Sequence, residues 1–157
     1  ARGWLDRAPQ GPALDSYEDT SLPIGQRALA YLNMQCGHCH NPDGAADTSG
    51  LVLTGRHKTA VSMGVCKPPV AAGGGAGDLQ YGIVPGDPDI SIRHYRVASA
   101  KPDEMMPELG RSLVHEEGVA LIREWIGTLT GSCDEQSDSR IAGESGFEPS
   151  VAKKTTG

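Results

Sequence analysis

Two cysteines and two histidines lie within five positions of this chain, in the run YLNMQCGHCHNPDG. Cys36 and Cys39 are separated by two residues, and His40 follows the second cysteine directly. Thiols and an imidazole at this spacing are typical of three kinds of site: covalent haem attachment, a structural zinc ion or a reactive dithiol. Each kind of site requires different residues elsewhere in the chain, and those requirements distinguish the three.

Covalent haem attachment accounts for every residue of the cluster. Each thiol adds to one vinyl group of the porphyrin, and the two-residue spacer on a helical turn sets the separation of the sulfur atoms. By this interpretation Cys36 and Cys39 attach one haem c, and His40 is the first axial ligand of the haem iron. His38 is then only a spacer residue.

The two other interpretations lack the residues that they require. A structural zinc site takes four ligands, normally two Cys or His pairs, whereas Cys66 and Cys133 are single cysteines far apart. A redox dithiol begins a helix after a strand in a βαβ unit, whereas this cluster follows a predicted helix. The sequence therefore favours haem.

A six-coordinate haem iron requires a second axial ligand, and the run DEMMPELG supplies two methionines. A thioether sulfur is a soft, neutral ligand that favours reduced iron and raises the reduction potential. We expect Met106 to be this ligand, because its loop lies between two predicted helices and Pro107 stiffens the backbone beside it. The alternatives are an open site, a methionine pair that only fills a gap, or another ligand. The other candidate ligands are Met105, His57, His94 and His115.

The hydrophobic pattern predicts that a first helix leads into the cluster. Residues 21–35 form this helix, with Thr20 or Ser21 as its cap and Pro23 in its first turn. Its apolar face consists of Ile24, Ala28, Leu29, Tyr31 and Leu32.

Two more helices are predicted after a glycine-rich stretch, residues 41–87, which we interpret as a long loop with a short extended piece at 51–53. The second helix runs from a cap at Asp87 to about Ala98. The third lies in SLVHEEGVALIREWIGTLTG and is amphipathic, with Glu116 and Glu117 in its first turn and its end at Gly131. Its apolar stripe consists of Val114, Gly118, Ile122, Trp125 and Leu129.

The composition argues against some functions and indicates a small apolar core. A net charge of −6 argues against binding to nucleic acid or to anionic membranes, and no apolar run is long enough to span a bilayer. One Phe, two Trp and four Tyr make a thin core, to which a bulky apolar cofactor would add volume. We predict an all-α fold with long connecting loops. Residues 1–20 form an N-terminal strap, residues 21–133 the haem domain and residues 134–157 a polar tail.

These segments resemble the monohaem c-type cytochrome domains of secreted bacterial proteins, often found at the C-terminal end of a longer chain. The similarity covers about residues 21–130 and lies in YLNMQCGHCHNPDG, IVPGDPDISIRHYR and MMPELGRSLVHEEGVALIREWI. It implies a class I-like cytochrome c fold, in which the first and last helices cross beside the haem and Met106 is an axial ligand. The side chains expected to meet at the crossing are Tyr31, Leu32, Ile122 and Trp125. The chain departs from a compact cytochrome c in the 65 residues between His40 and Met106.

Two further groups of residues have expected roles. Because haem c is attached outside the cytoplasm, where thiols oxidise, we expect a disulfide between Cys66 and Cys133, with two free thiols as the alternative. The haem propionates require donors. The candidate donors are Arg93, Arg96 and Lys67, with Arg96 preferred and ordinary solvated charges as the alternative.

The sequence predicts an electron-transfer protein rather than an enzyme, because two axial side chains leave only a one-electron change at the iron. The expected partners are redox proteins that dock at the haem edge, in a bacterial periplasm or at the cell surface. The alternative is an electron-relay subunit or domain of a larger redox enzyme or cytochrome assembly, held there by the strap or the tail. The chain begins at Ala1 without a Met, which we interpret as a processed N-terminus or a piece of a longer protein.

Overall fold

The computed structural model describes residues 14–55, 59–70 and 72–134 of the chain. Within these residues there are three α-helices, two short 3₁₀ helices and isolated β-bridges, but no strand. The helices are α1 (Ile24–Cys36), α2 (Ile92–Ala98) and α3 (Glu116–Thr128), and the 3₁₀ helices are Asp47–Ser49 and Gly73–Ala76. The prediction of an all-α fold is therefore confirmed for the described part of the chain.

Helix α1 begins three residues later than the sequence predicted. Pro23 precedes it in an extended conformation, and no side chain caps its first turn. Ser21 does not act as the cap because its hydroxyl and its backbone N–H both donate to the Asp19 carboxylate, at 2.6 and 3.0 Å. The buried face is close to the predicted one and consists of Ala28, Tyr31, Leu32 and Cys36.

Helix α2 begins at Ile92, so the predicted start at Asp87 and Pro88 was wrong. Side chains hold the preceding residues in a turn instead. The hydroxyl of Ser91 donates to the Asp87 carbonyl at 2.7 Å and accepts from the Val84 N–H at 2.8 Å. Ser91 is fully buried, and these bonds satisfy its hydroxyl.

Helix α3 follows the predicted amphipathic pattern, with Glu116 and Glu117 in its first turn. It ends at Thr128, where the hydroxyl donates to the Trp125 carbonyl at 2.7 Å, and not at Gly131 as predicted. Its buried residues are Gly118, Leu121, Ile122, Trp125 and Ile126.

Helices α1 and α3 pack against each other, and α2 packs against α3. Glycine permits the close approach of α1 and α3, because a Cβ at Gly118 would overlap the Tyr31 ring. The four side chains expected to meet at this crossing, Tyr31, Leu32, Ile122 and Trp125, all belong to one buried core. The helices are thus arranged around a single apolar centre.

The long loop between α1 and α2 is bonded to itself and to the end of the chain. Cys66 and Ile83 pair through an N–H···O bond of 2.9 Å, and Gly82 donates to the Lys67 carbonyl at 2.8 Å. Cys66 is joined to Cys133 in a disulfide with Cα atoms 5.0 Å apart. This bond connects the loop to the segment that follows α3. The expected extended piece at 51–53 forms no strand, although Val52 donates to the Ser62 carbonyl at 2.9 Å.

The two terminal segments of the chain are only partly described. Residues 14–20 of the predicted strap are described, and Tyr17 packs edge-on against Tyr31 with ring centroids 5.3 Å apart. The predicted tail lies outside the described residues apart from Asp134. In the described part of the chain, no helix has the length and apolar content to span a bilayer.

Candidate functional site

A cavity of about 270 Å³ lies beside the end of α1, and it brings together residues that are distant in sequence. Cys36, Cys39 and His40 line it, and so does Met106 from the loop between α2 and α3. Most of its remaining surface is apolar and includes Leu51, Ile92, Val97, Pro107 and Leu109. An apolar cavity with a few convergent polar groups is the usual form of a cofactor site.

The cluster itself forms a tight turn at the end of α1. The helix ends at Cys36, and the N–H groups of Cys39 and His40 both donate to the Cys36 carbonyl, at 3.2 and 2.9 Å. Neither cysteine of the cluster is in a disulfide; Cys36 is buried and Cys39 is partly exposed. The turn therefore presents two free thiols and two imidazoles, those of His38 and His40, to the same cavity.

His40 is held through one nitrogen of its ring and through its backbone carbonyl. Its Nδ1 lies 3.0 Å from the Ser49 hydroxyl, and its backbone carbonyl accepts from the Leu53 N–H at 2.9 Å. Burial, together with the positive charges of Arg93 and Arg96, lowers the pKa of His40 to about 4. The imidazole is consequently neutral at pH 7, the form in which histidine coordinates a metal.

Met106 reaches the cavity because its loop is bonded to the end of α2. The Met106 N–H donates to the Arg96 carbonyl at 2.9 Å, and the Arg96 Nε donates to the Glu104 carbonyl at 2.9 Å. Further along, the Arg111 guanidinium donates to the Val97 carbonyl at 2.9 Å. The loop is thus attached to α2 on both sides of Met106.

The other candidate ligands are placed elsewhere. Met105 is not among the residues that line the cavity, and neither His94 nor His115 is. His115 stacks on the Tyr31 ring with centroids 5.6 Å apart, at the α1–α3 crossing. His57 lies outside the described residues.

Three cationic side chains, those of Lys67, Arg93 and Arg96, also line the cavity. Arg93 is the most constrained: its Nη2 donates to the Met63 carbonyl at 2.9 Å, and burial lowers its pKa. Its Nε is buried without a hydrogen-bond partner among the described residues. A buried guanidinium with an unused donor suits a ligand that carries a carboxylate. The sequence preferred Arg96, whose Nε is already bonded to Glu104.

The donor set fits haem better than it fits zinc or a dithiol. Among the described residues, no three His, Cys, Asp or Glu side chains group together as a metal site. A haem iron is held by its porphyrin and needs only two axial side chains, so this finding bears on zinc and not on haem. Burial raises the pKa of the Cys36 thiol, which makes it a weaker nucleophile than a catalytic dithiol requires.

No protein-family model matches this chain, and neither a curated protein nor a solved structure does. The interpretation of the cavity therefore depends on its own residues. Sequence reasoning had identified Cys36, Cys39, His40 and Met106, but it had not identified Ser49. No spacing or motif pointed to this serine, because only the folded loop brings it to the His40 ring.

Proposed function

We propose that this chain is an electron-transfer c-type cytochrome domain with one covalently attached haem. The observation that carries the proposal is that Cys36, Cys39, His40 and Met106 line one apolar cavity. The two thiols would attach the porphyrin, and His40 and Met106 would be its axial ligands. When bound, the haem supplies a one-electron change at its iron.

The chain's own residues would orient the group and surround it with apolar side chains. The turn at the end of α1 fixes the thiols relative to His40, and the bond between Met106 and the Arg96 carbonyl holds the thioether at the cavity. The apolar lining lowers the local dielectric constant, and Arg93, which lines the cavity and has an unpartnered Nε, would be a donor for a propionate. If His40 and Met106 both held the iron, the haem would supply electron transfer and would not bind a substrate.

The proposed function implies a compartment and a kind of partner. Haem c is attached outside the cytoplasm, so we propose a periplasmic or cell-surface location in a bacterium. The disulfide between Cys66 and Cys133 is consistent with an oxidising compartment. We propose that its partners are redox proteins that contact the exposed rim of the cavity, where Leu109 is 84% exposed.

The test is the mass and spectrum of the intact, fully matured protein. The protein should be coloured, give the reduced-minus-oxidised spectrum of haem c, and have the mass of the chain plus one haem. Cys36→Ser combined with Cys39→Ser should abolish covalent attachment, whereas Cys66→Ser should retain the haem. A colourless protein would overturn the proposal, as would a pigment that acidified organic solvent extracts.

A further inference from the structure

The hydrogen bond between His40 and Ser49 has a direction that the surrounding atoms determine. A serine hydroxyl has one hydrogen to donate and two lone pairs that accept. The Ser49 hydroxyl lies 2.6 Å from the Ala46 carbonyl oxygen, which can only accept, so the hydrogen of Ser49 is directed there. The Ser49 oxygen accepts from the Leu51 N–H at 3.2 Å, and its remaining lone pair faces the Nδ1 of His40 at 3.0 Å.

The ring must therefore donate to Ser49 through Nδ1–H. A neutral imidazole that carries its hydrogen on Nδ1 has its lone pair on Nε2. Nε2 is then the atom available to coordinate a metal, and the partner of the other ring nitrogen fixes both the tautomer and the ring plane.

The position of Ser49 is set by backbone bonds that return to the cluster. Ser49 ends the 3₁₀ helix Asp47–Ser49, and its N–H donates to the Ala46 carbonyl at 3.1 Å. Ala46 in turn donates to the Cys39 carbonyl at 3.0 Å, so the turn is bonded to the cluster itself. Gly50 follows with φ of 63°, a left-handed conformation that suits glycine. Backbone groups of this short turn therefore fix the position of the Ser49 hydroxyl.

We propose that Ser49 is a positioning residue that holds His40 in the Nδ1–H tautomer and so leaves Nε2 as the atom that would coordinate the haem iron. This inference rests on the proposed function. A hydroxyl oxygen is a neutral acceptor, so it orients the ring without drawing the hydrogen away as strongly as a carboxylate would. The imidazole donates more electron density to iron when Nδ1–H is hydrogen-bonded than when it is not.

The experiment uses the haem-loaded protein labelled with ¹⁵N-histidine and the variants Ser49→Ala and Ser49→Thr. In the reduced parent protein, NMR should show hydrogen on Nδ1 of His40 that exchanges slowly with water. In Ser49→Ala this hydrogen should exchange much faster, and the reduction potential should rise because the imidazole donates less. Ser49→Thr keeps a hydroxyl and should restore both readouts.

A matched control distinguishes positioning of the ring from loss of a turn. The hydroxyl of Ser62 donates to the Thr59 carbonyl at 2.9 Å and accepts from the Thr59 N–H at 2.9 Å, and neither bond involves the His40 ring. Ser62→Ala should lower stability without changing the exchange of the His40 hydrogen or the potential. A change in both readouts as large as that in Ser49→Ala would overturn the proposal.

The outcomes separate this inference from the proposed function. A protein with covalent haem in which Ser49→Ala leaves both exchange and potential unchanged overturns the role of Ser49 alone. A matured protein with the mass of the bare chain overturns both. If Ser49→Ala does not accumulate, the parent protein alone tests the inference. An Nδ1 hydrogen of His40 that exchanges with water as fast as that of free imidazole would overturn the hydrogen bond assigned to Ser49.

Discussion

The ring of Tyr31 on α1 lies directly over Gly118 on α3. A Cβ at position 118 would overlap the hydroxyl and Cζ of Tyr31 and would lie 2.6 Å from Nδ1 of His115. The same hydroxyl lies 3.2 Å from His115 Nδ1, and the Tyr31 side chain is buried. The helix crossing next to the cluster therefore depends on the absence of a side chain at one position.

Gly118→Ala should destabilise the protein, because a buried aromatic ring and the helix backbone cannot both keep their places. Overpacking of this kind costs about 1–3 kcal/mol in the free energy of unfolding. Gly127 is the control, since it lies on the exposed face of the same helix and a Cβ there meets nothing within 4 Å. Gly127→Ala should be neutral or stabilise by up to about 1 kcal/mol, the difference in helix propensity. Denaturant unfolding measures both, and equal effects would contradict the crossing geometry.

Tyr31 should make the protein less stable at alkaline pH. Burial, with a smaller contribution from Cys36, raises the pKa of Tyr31 to about 12 from 10.0. Between the two pKa values the folded state keeps the Tyr31 proton and the unfolded state has lost it. The contribution of Tyr31 to the free energy of unfolding is therefore fully present below pH 10 and is lost as the pH rises from 10 to 12. Tyr31→Phe should flatten the dependence of the unfolding free energy on pH in this range. An unchanged slope in Tyr31→Phe would show that other groups cause the loss.

The disulfide should contribute strongly to the free energy of unfolding, and the loss of either cysteine should remove the whole contribution. Cys66 and Cys133 are 67 residues apart, and chain entropy assigns about 4 kcal/mol to closing a loop of that size. Cys66→Ser, Cys133→Ser and the double variant should lower the unfolding free energy by nearly equal amounts, because one bond is lost in each. Additive losses in the double variant would mean that the two cysteines act separately.

Under the proposed function, Met106→Ala should abolish the sulfur-to-iron charge-transfer band of the oxidised protein. The reduction potential should fall, because the thioether favours reduced iron. Met105→Ala is the matched control, since Met105 is the neighbouring residue but does not line the cavity. The reverse pattern, with the band lost in Met105→Ala, would reassign the ligand.

Under the proposed function, Arg93 should tune the reduction potential of the haem iron through its charge. A buried cation beside the cavity disfavours the oxidised, more positive iron, so Arg93→Met should lower the reduction potential. Arg93→Lys keeps the charge and should shift the potential less. Arg123→Met is the surface control: Arg123 is exposed, its Nη2 pairs with the Asp89 carboxylate at 2.9 Å, and its loss should leave the potential unchanged. Equal shifts in Arg93→Met and Arg123→Met would contradict the assignment.

The helices were predictable from the sequence where the apolar spacing alone determines them. Gly118, Ile122 and Trp125 repeat with the helical period, and α3 forms around them. The start of α2 was not predictable, because Asp87 and Pro88 are a good local start signal that the buried Ser91 hydroxyl overrides. The error arose because hydrogen bonds between residues several positions apart outweighed local preference.

The candidate site also contains residues that the sequence predicted and features that only the fold reveals. Cys36, Cys39 and His40 form a motif within five positions, so their grouping required no knowledge of the fold. Met106 was predicted because its loop lies between two predicted helices and Pro107 follows it, and the bond from its N–H to the Arg96 carbonyl attaches that loop beside the cavity. The unpartnered Nε of Arg93 leaves no trace in the sequence, since it depends on packing across distant segments.

The bond between Cys66 and Cys133 also divides the chain into an open part and a closed ring. Helices α2 and α3 and the Met106 loop belong to the ring, whereas Cys36, Cys39 and His40 precede it. Fraying that begins at the C-terminus meets a covalent junction before it reaches α3. Loosening of the chain end beyond Cys133 therefore does not by itself free α3 or the Met106 loop, because both lie inside the ring.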